Sequence, residues 1–90
     1  MNPNACYRLS KYASIRPEPF GGLLYRHDNR RLYFLYSRLL VEFLGQLDSG
    51  RPLSHQLRPF LAKRGLPASG AEALFKALTQ LETLEVLDEL

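Results

Sequence analysis

The chain has a single cysteine, only two histidines and no long unbroken hydrophobic run. Cys6 cannot form an internal disulfide, and a lone thiol near the amino end suits a reducing compartment. The most apolar stretch, residues 32–44, is interrupted by Arg38 and Glu42, and residues 1–8 hold no apolar run of the kind a signal peptide needs. The expectation is a soluble, cytoplasmic protein that does not enter a membrane. Chemistry is equally sparse. His27 sits beside Asp28 in a turn-like stretch, His55 falls in the first turn of a helical segment, and Cys6 has no partner at a fixed spacing. No nucleophile and base are paired, and no spacing resembles a zinc or iron–sulfur site. Gly21-Gly22 lacks the downstream Gly-Lys that would cradle a phosphate. The sequence therefore predicts no catalytic residue, no metal and no cofactor.

What the chain does have is enough apolar matter for one packed domain. Hydrophobic residues make up 46% of the 90 and aromatics 11%, so a core should form without staples. A single domain over residues 1–90 is expected. Charge is unevenly distributed. Residues 1–64 carry nine Arg and two Lys against Glu18, Asp28, Glu42 and Asp48, a net +7, and residues 65–90 carry a net −4. A basic body attracts nucleic acid, anionic membrane or an acidic peptide, and composition does not choose among them.

Periodicity divides the chain into strands over about residues 6–36 and helices over about residues 37–83. Tyr7 and Leu9 alternate with Arg8 and Ser10, and Ala13 and Ile15 alternate with Ser14 and Arg16. Arg16-Pro17-Glu18-Pro19 should then halt regular structure and, with Gly21-Gly22, form a shaped loop. A hairpin is predicted near residues 22–36, turning at Asp28-Asn29. The sheet should be antiparallel, with about three strands. Ser37 caps the first helix, whose face is Leu40, Phe43, Leu44 and Leu47 and whose end falls at Gly50 and Pro52. The second carries Leu53, Leu57, Phe60 and Leu61, is shortened or kinked by Pro59, and stops at Gly65. The third opens at Ser69-Gly70-Ala71-Glu72, read as a capping box, with Leu74, Phe75, Leu78 and Leu81 as its apolar stripe. Val86 and Leu87 extend this helix or add a small strand. The fold class is thus α+β and winged-helix-like, with a three-stranded antiparallel sheet followed by three helices.

That shape often binds DNA, but the helix that would enter the groove offers Glu72, Lys76, Thr79, Gln80 and Glu82, more acid than base. Arg31, Leu32, Tyr33, Phe34, Leu35 and Tyr36 point elsewhere. This segment is apolar at nearly every position, so both of its faces want cover while the helices can bury one. At a sheet edge it would accept an extended peptide by β-augmentation; in a central position it would be buried on both sides.

Tyr7-Arg8-Leu9, the string Ile15-Arg16-Pro17-Glu18-Pro19-Phe20-Gly21-Gly22-Leu23-Leu24-Tyr25 and Arg31-Leu32-Tyr33-Phe34-Leu35 together resemble the mycofactocin precursor-peptide chaperones. These belong to the wider PqqD-like group of peptide recognition elements. The resemblance runs through the helices to Leu87 and implies a winged-helix-like domain without chemistry of its own. It implies that a precursor-peptide leader adds to the edge of the strand at residues 31–36 and packs against Phe75, Leu78 and Thr79. It also implies that a radical S-adenosylmethionine enzyme performs the modification. Arg16, Glu18 and Phe20 are candidates for docking that enzyme, or else belong to a rigid structural loop. The basic excess suggests an acidic leader steered by Arg26, Arg30, Arg31 and Arg38. The partners implied are the precursor peptide and the enzyme, not nucleic acid, with the chain a monomer or weak dimer. A winged-helix DNA-binding regulator and an adaptor that joins enzymes without touching peptide are the alternatives.

Overall fold

Alternating residues in the first third of the chain become four short strands. In the computed structural model, which describes residues 1–90, these are β1 (Tyr7–Leu9), β2 (Ala13–Glu18), β3 (Gly21–Arg26) and β4 (Leu32–Leu35). Three helices follow, α1 (Arg38–Gly45), α2 (Ser54–Lys63) and α3 (Gly70–Thr83), and the chain closes with β5 (Leu87–Glu89). Strands β2, β3 and β4 form an antiparallel sheet in that order, so the α+β, winged-helix-like layout matches the sequence reading. The expectation of about three strands holds for this sheet alone. β1 stands apart and pairs with β5, Tyr7 opposite Glu89 and Leu9 opposite Leu87, which ties the two ends of the chain together. The Tyr7 side chain is fully buried there. Its hydroxyl donates to Glu89 Oε1 at 3.0 Å and accepts from the Asn2 amide at 2.7 Å, and burial pushes the phenol above its usual range.

The Arg-Pro-Glu-Pro segment corrects the sequence reading. It does not stop regular structure: β2 runs through Glu18, pairing Arg16 with Leu23, Pro17 with Gly22 and Glu18 with Gly21. The physical reason lies in the register. His27 N donates to Tyr12 O, so every second pair from there, including Arg16 with Leu23, exchanges hydrogen bonds, and Pro17 falls at a non-bonded position. Its missing amide lies on the outer side of an edge strand, where a proline costs no ladder bond. The predicted loop shrinks to a two-residue turn at Pro19-Phe20. Gly21 then has φ of +147°, and a Cβ there would lie 2.0 Å from Leu35 O. A side chain at Gly22 would meet Val41 Cγ2 at 2.8 Å. The glycine pair therefore lets β4 and α1 close over β3.

Helix α1 starts as predicted, with Ser37 Oγ accepting from Leu40 N at 3.1 Å, but it ends at Gly45 rather than Gly50. The connection to α2 is organised by Gln56, which is 8% exposed. Its amide accepts from Asp48 N and donates to Asp48 O and Arg51 O, giving the turn partners that helix would otherwise provide. Pro59 lies inside the ten-residue α2, which continues through it to Lys63; the His55 carbonyl that Pro59 cannot bond accepts from Arg51 Nη2 at 3.4 Å. The end of α2 is a Schellman closure: Gly65 has φ of +68°, Leu66 N donates to Leu61 O, and Gly65 N to Ala62 O. The capping box at Ser69 does not form. Ser69 already has helical angles and makes no side-chain cap bond, because tight turns at Pro67 and Ala68 carry the chain into α3.

One core of sixteen buried residues joins all layers. Phe43 of α1 meets Phe60 of α2 edge to face, 5.1 Å between ring centres. Leu24 and Leu35 rise from the sheet, and Leu74, Leu78 and Leu81 descend from α3. No helix is long and apolar enough to cross a membrane.

Candidate functional site

Strand pairing places residues 32–35 at one edge of the three-stranded sheet, with β2 at the other. Of the two alternatives left open by the sequence, edge or centre, the structure has the edge. The register decides which groups are free. Arg26 N donates to Arg31 O, so Leu24 with Tyr33 and Gly22 with Leu35 are the bonded pairs, and Leu23 with Phe34 and Tyr25 with Leu32 are not. The amides and carbonyls of Leu32 and Phe34 therefore face outward. The opposite edge is blunted by Pro17, and β4 contains no proline. Of the two edges, β4 is the one open to a further strand.

Side chains alternate across the same strand. Tyr33 and Leu35 turn inward, Leu35 reaching the core at 9% exposure, whereas Leu32, Phe34 and Tyr36 are 50%, 55% and 78% exposed. Phe20, delivered by the tight β2–β3 turn, lies 6.2 Å from Phe34 and 5.6 Å from Tyr36, and Phe34 and Tyr36 stack at 6.3 Å. The sequence reading saw the apolar run but did not connect Phe20 to it. Shared alternation across the turn was the available signal.

The helix residues assigned by resemblance lie at different depths. Leu78 is fully buried in the core, Phe75 and Thr79 are half-buried, and the Thr79 hydroxyl donates to Phe75 O. Phe75 lines an open groove between α2 and α3 with Pro3, Leu57, Ala71 and others. The inner face of β3 and β4 is covered chiefly by α1. Arg16 is exposed and ion-paired with Glu18 at 2.6 Å.

Arg26 corrects the steering set. Its side chain is 9% exposed and fully engaged: Nε and Nη2 donate to the two carboxylate oxygens of Asp28 at 3.0 and 2.7 Å, and Nη1 donates to Leu84 O and Glu85 O at 3.1 and 3.2 Å. This guanidinium caps the carboxyl end of α3 and fastens it to the β3–β4 hairpin. The Arg26 hydrogen bond holds the Asp28 carboxyl below its usual range, and the reciprocal bond raises Arg26. Arg30, Arg31 and Arg38 are exposed and make no ion pair.

Ser14 Oγ lies 2.9 Å from His27 Nε2, but the pair is exposed and no carboxylate orients the ring. No three His, Cys, Asp or Glu side chains converge as a metal site. The geometry is that of an edge and a face.

Residues 6–88 match the model of the Peptide chaperone MftB family. The chain belongs to that family. Curated relatives carry the same description: Peptide chaperone MftB of Mycolicibacterium smegmatis is 44% identical over 46 residues, 51% of this chain and 45% of the relative. The protein of that name from Mycobacterium tuberculosis is 42% identical over 40 residues, 44% of this chain and 37% of the relative. The matched stretch thus spans less than half the length of either relative. No solved structure gives a significant match.

Proposed function

We propose that the chain holds the leader of a ribosomally made precursor peptide as an added strand on β4, and presents it to a radical S-adenosylmethionine enzyme in mycofactocin-type biosynthesis. The observation that carries this reading is the open β4 edge, with outward amides and carbonyls at Leu32 and Phe34 beside exposed apolar side chains. Main-chain bonds along such an edge give affinity, and pockets for alternate side chains give specificity. Membership of a peptide-chaperone family supports the same reading. Residues 31–36 form the strand side of the site. The family resemblance adds Phe75, Leu78 and Thr79 of α3 as the proposed helix side. The chain itself contributes no catalytic group; the chemistry belongs to the enzyme.

Arg16, Glu18 and Phe20 sit on the β2–β3 hairpin, Phe20 beside Phe34 and Tyr36, and are proposed to dock that enzyme. Reconstitution tests the whole reading. Modification of the precursor by the enzyme should require this chain and should fall sharply with a Phe34→Pro variant that keeps its fold. Equal modification with and without the chain would overturn the proposal.

A further inference from the structure

The sheet has a second face that the helices leave bare. Leu23 and Tyr25 of β3 and Leu32 and Phe34 of β4 are cross-strand neighbours on it, and Phe20 and Tyr36 extend the apolar surface beyond the strand ends. This surface runs out to the free edge of β4 without a polar border, because Leu32 and Phe34 are themselves edge residues. Scattered exposed apolar residues are ordinary, but a contiguous row along an unpaired edge marks an interaction site. The unpaired charges around it are of one sign, since Glu18 on the same face is neutralised by Arg16. Arg30 and Arg31 precede β4 and Arg38 follows it, all exposed and without an ion pair. A second copy of this chain paired along β4 would set these arginines against each other, and like charges disfavour that arrangement.

We infer that the bare face is the specificity-determining surface for the bound strand, and that its ligand is an extended segment with apolar side chains at alternate positions, flanked at both ends by carboxylates. The inference rests on the β4-edge reading above and adds what that edge selects. An added strand sends every second side chain to the bare face, where it completes the cross-strand row begun by Tyr25 and Leu32 and by Leu23 and Phe34. Its ends fall beside Arg31 and Arg38, so acidic residues spaced about six apart meet the free guanidinium groups.

The test uses two synthetic nonapeptides of one composition. Glu-Glu-Ile-Thr-Leu-Thr-Val-Glu-Glu has the alternation and the acidic ends; the second has the same residues with the apolar ones consecutive and the acids in the middle. Both are titrated into the full chain and into Phe34→Thr and Leu32→Thr variants, with Leu90→Ser as an exposed control away from the face. The alternating peptide should bind about tenfold more tightly than the rearranged one, and both face variants should lose that preference. Leu90→Ser should retain it. Equal affinity for the two peptides, with the β4 amides still shifting, would overturn this inference and leave the edge reading intact. No shift of the β4 amides with either peptide would overturn both.

Discussion

Three residues carry geometry that their side chains alone would not suggest. Gly21 has a positive φ and a neighbouring carbonyl where its Cβ would be. Gly21→Ala should therefore destabilise by about 3 kcal/mol or prevent folding, read as the denaturant midpoint. Glu85 occupies the left-handed position that closes α3, φ of +61°, with Val86 N donating to Leu81 O in a Schellman arrangement. Glycine suits that position better, and the Glu85 side chain is exposed, so Glu85→Gly should stabilise by about 1 kcal/mol in thermal unfolding. The Arg26–Asp28 pair predicts a pH dependence. Because Arg26 holds the folded Asp28 carboxyl below its unfolded value, its contribution is present above about pH 4 and is lost as pH falls through the folded value. Asp28→Asn should lower the melting temperature at neutral pH and flatten its acid dependence; an unchanged acid profile would count against the clamp. The need for glycine at Gly21-Gly22 was legible in the sequence, but the roles of Glu85 and Arg26 were not. Arg26 read as one more surface cation because its partners, Asp28 and two carbonyls of α3, are assembled only by the tertiary fold.

At the scale of elements, the register separates two substitutions that look equivalent. The Tyr33 amide faces β3 and the Phe34 amide faces solvent. Tyr33→Pro should break the β3–β4 ladder and lower stability, whereas Phe34→Pro should leave the sheet folded and abolish strand addition. Circular dichroism and peptide titration of the pair separate these effects. Helices α2 and α3, the Ser37 cap and the β3–β4 hairpin were legible because local signals of periodicity, capping and turn chemistry agreed there. The elements that went astray depend on distant partners. β2 continues through Pro17 because it is an edge strand, and α1 stops early because Gln56 captures the following turn. The Ser69 cap is superseded by turns that begin two residues earlier. β5 exists because β1 is there to pair with it. Edge status itself followed from topology, which periodicity does not encode.

The molecule as a whole is a small core with two unlike surfaces: helices over one side of the sheet, and on the other an aromatic face ending at an unpaired strand. Its charge divides along the chain instead, with a cationic excess through residue 64, the cations of α1 and α2 included, and an acidic excess beyond. That basic body suits an acidic leader, and binding should weaken steeply as salt is raised through the physiological range. The central claim is that peptide is held along β4, and backbone-amide NMR titrated with the precursor leader tests it most directly. The account predicts large shifts and slowed exchange at Leu32 and Phe34, whose amides face outward, with smaller changes at Tyr33 and Leu35, whose amides are already bonded to β3. A saturable complex in which residues 31–36 stay unshifted would contradict it.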